Sequence, residues 1–237
     1  MFMMFDPLFI ALVLPALAFT LIAQFMVKGR FNKYSKVRTQ NGITGAQAAE
    51  QILREAGITD VRIEQTHGHL SDHFDPRGNV IRLSESVYGA ATVAAVGVAA
   101  HEAGHAVQYA RGYFPMKVRA AIIPVTNFGS RAAMPLIFIG ILLGAASEAT
   151  GPNVGMMLLN AGILLFSTVV VFQLVTLPVE FNASRRALVA INNNSMLTPQ
   201  ERVGSRKVLT AAALTYVAAL ALSIAQLLRF LAMARRR

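Results

Sequence analysis

The stretch "AAHEAGHAVQ" (residues 99–108) closes a long run of small apolar residues and sets two of the chain's five histidines four positions apart. On an α-helix, positions i and i+4 lie on one face a turn apart, so His101 and His105 can point at a single atom. Glu102 is rotated from His101 by about 100°. It is poorly placed to bind the same atom and well placed to hold a water beside it. The plainer reading is a pair of histidines satisfied by hydrogen bonds in a core. Shuffled chains of this composition contain the His-Glu-x-x-His pattern in about 0.3% of cases. A helix is also expected where that geometry requires one, so a metal-binding pair is favoured.

Composition limits what such a site is made of. Of the 237 residues, 54% are hydrophobic and 14% charged, and the mean hydropathy of +0.50 is high for a soluble domain. There is no cysteine, which excludes disulfides, a cysteine nucleophile and thiolate ligands. Any metal is therefore held by His, Asp or Glu. The net charge of +10 fits a membrane protein oriented by its Lys and Arg. No basic module of a nucleic-acid-binding kind appears, so no nucleic acid is expected as a partner.

The apolar runs divide the chain. Residues 1–27 read as an N-terminal transmembrane anchor: 8–27 are uncharged and long enough to span a bilayer. Basic residues follow this run instead of preceding it, as in a signal anchor with the N-terminus outside. Residues 28–120 read as a cytoplasmic catalytic region. Thr44 starts a helix there with Gln47 as capping-box partner, and Gly57 ends it. "VRIEQ" (61–65) and "LSDHFDPRGNVIRLSE" (70–85) read as short strands, the second a hairpin turning at Asp75–Asn79. Residues 86–111 read as one helix buried in protein, ended by Gly112 and Pro115. Residues 121–177 read as a transmembrane hairpin, with spans at 132–146 and 154–177 and a short link at 147–153. Residues 178–207 return to a polar cytoplasmic segment, and 208–237 form a C-terminal apolar helix. The fold class is thus a mainly α integral membrane protein, with about four transmembrane helices and a small α+β cytoplasmic part that carries the histidine helix.

Of the 22 Lys and Arg, 13 fall between Lys28 and Arg131 and 5 between Arg185 and Lys207. That places 28–120 and 178–207 on the cytoplasmic side. The closing Arg triplet conflicts with this if 208–233 spans fully. Either the earlier helices set the topology, or this run lies partly along the interface or re-enters.

Two histidines and a water leave a catalytic zinc one ligand short. Glu148 falls in the link on the opposite side. Glu180, in "TLPVEFNASRRAL" (176–188), follows the point where the 154–177 span re-emerges on the histidines' side. A carboxylate there is costly to bury without positive charge, which a zinc ion provides. The alternative is a surface glutamate paired with Arg185 or Arg186. A second polar cluster, His67, His69, His73, Asp72 and Asp75, reads either as another metal site or as a polar hairpin beside the active site, with His73 near substrate. An exposed strand here is suited to pairing with an extended peptide.

Four motifs in order, "LSDHFDPRGNVIRLSE", "VAAHEAGHAVQYA", "NFGSRAAMPL" and "LPVEFNASRRAL", make the chain resemble the bacterial YugP-type membrane zinc metallopeptidases, the neutral zinc metallopeptidase 2 family. The resemblance covers nearly the whole chain. It implies a gluzincin-like, membrane-integral metalloprotease with a zincin-like cytoplasmic part. On the matching positions it makes His101 and His105 the zinc histidines, Glu102 the catalytic glutamate and Glu180 the third ligand, for one Zn2+ per chain. His73, Asp75, Asn182, Ser184 and Arg185 are then candidates for supporting the ligands or binding substrate. The family pattern has aspartate two residues after the third ligand, where this chain has Asn182. If that residue orients a zinc histidine, the neutral amide does so more weakly.

The expected function is zinc-dependent endopeptidase action on peptides or membrane proteins, at the cytoplasmic face of the bacterial inner membrane. Glu102 would take a proton from the attacking water and pass it to the leaving amine. Cleavage within the bilayer is the alternative in the same class, and an inactive zinc-binding scaffold the alternative outside it. A metal-transport path is disfavoured because few ionisable residues lie in the spans, with Arg131 alone near one.

Overall fold

The computed structural model describes residues 6–68, 70–146 and 154–235. The 147–153 link with Glu148, His69, and the last two arginines lie outside the described residues. In chain order the elements are a π-helical turn at Phe9–Val13, α1 (Leu14–Tyr34), α2 (Gly45–Glu55), β1 (Arg62–Thr66), β2 (His73–Asp75), β3 (Val80–Ser84), α3 (Glu85–Tyr88), α4 (Val93–Ala110), α5 (Phe114–Ala146), α6 (Val154–Asn193) and α7 (Pro199–Arg235). Four helices are long and apolar enough to cross a membrane: Phe9–Tyr34, Phe114–Gly144, Val154–Asn193 and Pro199–Arg235. This is a mainly α membrane protein with a small α+β part.

Contacts divide the chain into two compact units. The first comprises Met1–Leu21, Val118–Thr176 and Tyr216–Arg237, and the second Ile22–Lys117 and Leu177–Thr215.

The second unit is built around α4. Its Ala94, Ala95, Val96, Ala99, Ala100, Ala103 and Ala106 are fully buried, in one cluster with Phe31, Ile81, Leu83, Val87 and Ile191. Side chains this small let neighbouring backbones come close on several sides. A Cβ on Gly97 would lie 2.5 Å from Ser205 Oγ of α7. α2 lies along α4 and starts as the sequence predicts: Thr44 Oγ1 accepts from Gln47 N and Gln47 Oε1 from Thr44 N, and Gly57 follows with φ +71°. In the sheet, β3 is central, parallel to β1 and antiparallel to β2, with Phe74 opposite Ile81. Asp75 Oδ1 accepts from Arg77 N at 3.0 Å and closes the expected turn between β2 and β3.

In the first unit α5 and α6 form the expected hairpin, again through small residues. A Cβ on Gly140 would sit 2.5 Å from Leu159 N, and one on Gly162 would sit 2.9 Å from Ala133 O. Such close helix approach is the usual means of packing where lipid replaces water as solvent. Ile137, Ile141, Leu159, Ile163 and Phe230 fill the core.

Two sequence expectations are corrected, and a segment that composition describes only as polar takes a definite form. Residues 86–111 are not one helix. α3 stops at Tyr88, and α4 restarts behind Thr92, whose Oγ1 accepts from Ala95 N at 3.3 Å. The intervening backbone is taken up by the segment after α1. Thr39 N donates to Ala91 O at 3.0 Å, Gly45 N to Ala90 O at 3.2 Å and Val93 N to Val37 O at 2.9 Å. Alanine favours helix locally, and these long-range bonds override it.

Residues 178–207 are largely helical. α6 continues through Pro178 to Asn193, and α7 begins at Pro199. Thr198 and Glu201 form a capping box, with Thr198 N to Glu201 Oε2 at 2.8 Å and Glu201 N to Thr198 Oγ1 at 3.4 Å, and a proline in the first helical position.

Arg131 is not the one ionisable residue near a span. Arg229 lies within the last apolar run, its Nε 2.8 Å from Asp6 Oδ2 and its guanidinium 5.1 Å from the centre of the Phe9 ring. Pairing of this kind is what allows charge to sit in an apolar segment. Replacing Asp6 by Ala removes that carboxylate and should destabilise the detergent-solubilised protein by about 1–3 kcal/mol. Asp6→Ala/Arg229→Met should recover most of the loss, read as the thermal unfolding midpoint.

Candidate metal centre

α4 presents His101 and His105 one turn apart, their rings edge to face with centroids 4.7 Å apart. The facing element is α6. Glu180, Ala183, Ser184 and Ala187 recur at helical spacing on its inward side. Gly104, inside the motif, sets how closely the two helices approach: a Cβ there would lie 2.7 Å from Ala183 O. That closeness brings Glu180 Oε2 to 3.3 Å from His101 Nε2 and 3.5 Å from His105 Nε2. Glu180 is 2% exposed. Among the described residues His101, His105 and Glu180 form the one group of three whose donor atoms, all within 4.8 Å of one another, could hold a metal ion.

A second layer fixes the rings. His105 Nδ1 lies 3.0 Å from Gln108 Oε1, an atom that only accepts, so Nδ1 carries a proton and Nε2 is the ring atom that faces Glu180. Gln108 is itself fully buried. Its Nε2 donates to Val179 O at 2.8 Å and to Asn182 Oδ1 at 3.0 Å. Asn182 Oδ1 also accepts from Arg186 Nε at 2.7 Å. On the other ring, His101 Nδ1 is 3.1 Å from Ser184 Oγ. Asn182 therefore reaches a histidine only through Gln108. Gln108 was missed in the sequence, although it stands three residues after His105, where helical neighbours meet.

Burial pulls the pKa of His105 down, but Glu180, Glu102 and the bond to Gln108 outweigh it and raise the ring above its ordinary value. Glu102 is 8% exposed, and among the described residues no hydrogen bond or ion pair engages its carboxylate. It lies beside the two histidines, with a carboxylate able to take up a proton.

Among the described residues, which leave out His69, the hairpin cluster does not converge on a second metal site. His73 Nδ1 bonds to Ser71 O at 2.8 Å, and His67 Nδ1 to Glu85 Oε1 at 2.8 Å. Asp72 accepts from Ser84 N at 2.7 Å, and Asp75 from Arg77 N and from Arg82 Nη1 at 3.2 Å. These bonds build the hairpin. The backbone bond from Arg77, then Arg82, holds the Asp75 carboxyl below its ordinary pKa. Arg185 is exposed and is not brought to Glu180.

A family model described as "Putative neutral zinc metallopeptidase" matches residues 9–235. The chain belongs to that family. It is 48% identical over 224 residues to "Putative membrane protease YugP" of Bacillus subtilis (strain 168), across 94% of this chain and 95% of the relative. No solved structure matches the chain. The family inferred from the four motifs is the family found.

The donor set fits the zinc that this family's name implies. Ligand atoms 2.0–2.1 Å from one tetrahedral ion stand about 3.3 Å apart. The observed separations of 3.3 and 3.5 Å match that spacing. They exceed the roughly 2.7–2.9 Å of a charge-assisted hydrogen bond.

Two consequences follow from this packing. Alanine is the better helix former by about 1 kcal/mol, yet Gly104→Ala should destabilise, because overpacking against backbone costs about 1–3 kcal/mol. It should weaken zinc binding as Glu180 is pushed away. Gln108→Ala should lower zinc affinity by about 10- to 100-fold. Competition with a chromophoric chelator measures both affinities.

Proposed function

We propose that this chain is a membrane-embedded, zinc-dependent endopeptidase, with one zinc per chain held by His101, His105 and Glu180. The observation that carries the reading is the convergence of these three donors beside an unengaged Glu102. Membership of the family supports it.

A zinc ion bound there supplies Lewis acidity, which brings the pKa of water toward about 7 and polarises a peptide carbonyl. The chain's own residues do the rest. Ser184 and Gln108 hold the two rings with their Nε2 atoms inward. Glu102 takes the proton of the attacking water on its carboxylate and returns it to the leaving amine nitrogen. β2 is an edge strand, so its outer backbone groups are available to an extended peptide running beside it.

Substrates in this reading are peptides or extended segments of membrane proteins, cut at the cytoplasmic face of the bacterial inner membrane. The crowding of Lys and Arg into 28–131 and 185–207 supports that side. Cleavage beside the bilayer is preferred to cleavage within it because α4, which carries the histidines, is not among the four long apolar helices.

The experiment is a peptidase assay with metal analysis on purified full-length protein. Glu102→Gln should keep one zinc per chain and lose at least about 100-fold in turnover. Glu180→Ala and His105→Ala should lose both zinc and activity. A Glu102→Gln variant that cleaves as fast as the parent ends this reading.

A further inference from the structure

An open groove of about 580 Å³ runs between residues 181–193 of α6 and 202–214 of α7. Phe181, Leu188, Leu209 and Leu214 give it apolar walls, while Arg185, Arg202 and Arg206 bring three guanidinium groups to it. Among the described residues no carboxylate lines it. The nearest acidic residue in sequence, Glu201, is 8% exposed and is occupied by Thr198 and by Gln40 N at 2.8 Å. Among the described residues none of the three arginine side chains makes a hydrogen bond or ion pair. Like charges gathered on one groove repel each other unless an anion answers them.

The groove is also graded along its length. Phe181 and Leu214 mark the end at which α6 arrives from its apolar segment and α7 departs into its own. Asn192, Asn193 and Arg202 mark the other end, toward the 194–198 connection. A free phosphate or an acidic peptide matches the cations and leaves the apolar walls unused. An amphiphile with an anionic head matches both, with phosphate at the arginines and acyl carbons along Leu209 and Leu214. Basic pockets between membrane-spanning helices are established seats for such headgroups.

We infer that this groove is a binding site for an anionic phospholipid, its phosphate held by Arg185, Arg202 and Arg206. The site is distinct from the metal centre, although Ser184, which steadies His101, forms part of its lining.

The test uses the full-length protein in neutral detergent, with retained lipids counted by native mass spectrometry after addition of dioleoyl phosphatidylglycerol or dioleoyl phosphatidylcholine. The parent should retain one phosphatidylglycerol in preference to phosphatidylcholine. Arg202→Gln/Arg206→Gln should weaken that binding about 30-fold, and Arg202→Lys/Arg206→Lys should largely restore it. Lys36→Gln/Arg38→Gln, which removes the same charge from exposed positions outside the groove, should change binding less than about twofold. Size-exclusion profiles identify any variant that misfolds, in which case Arg206→Gln alone is measured. Equal retention of the two lipids overturns the inference, as does equal loss in the Lys36/Arg38 control. Displacement of phosphatidylglycerol by inorganic phosphate or by an oligoglutamate peptide also overturns it, since the occupant is then a soluble anion or an acidic segment.

Discussion

Burying a carboxylate demands positive charge or several hydrogen bonds close by, and Glu180 is shut away on the inner face of α6. Two imidazoles from α4 meet it, and both rings are held from behind, one by Ser184 and the other by Gln108. The arrangement exists only while the two helices stay near enough for backbone to touch backbone. Gly104 opposite Ala183 is what permits that. The alanine-rich character of α4 follows from the same need, because the helix is enclosed by neighbours and has little room for larger side chains.

The site illustrates how ligands and their supports are distributed. His101 and His105 come from one turn of helix, and spacing alone revealed them. Glu180 comes from a helix 75 residues further along, and its assignment needed membrane topology together with a resemblance. Of the supports, Ser184 and Asn182 were candidates only through the resemblance, and Gln108 was not one. Ser184 stands four residues after Glu180, but that spacing means something only once α6 is known to continue past Pro178. Gln108 looks like the end of a helix and is in fact a fully buried junction joining His105, Val179 and Asn182.

The fold was legible where local chemistry decides it: the capping box at Thr44, the turn after Asp75, and the apolar runs that became long helices. It was misread where distant backbone decides. Nothing in Gly89-Ala90-Ala91-Thr92 announces that residues 37–45 will claim its carbonyls. The start of α7 is a different case, since Thr198-Pro199-Gln200-Glu201 carries its signal openly and was obscured by the polar composition around it. Arg229 was hidden by the apolar average of its surroundings, and its partner Asp6 lies 223 positions away in the chain.

The unit that holds the metal centre is assembled from two stretches, Ile22–Lys117 and Leu177–Thr215, with the α5–α6 hairpin encoded between them. A ribosome therefore releases both histidines and Glu102 well before it has made Glu180, the third donor of the candidate site. A product cut short within the hairpin would carry the whole His-Glu-x-x-His motif and still lack Glu180, Ser184 and the Val179 carbonyl that anchors Gln108. The three donors of the candidate site can therefore meet only after Glu180 has been made.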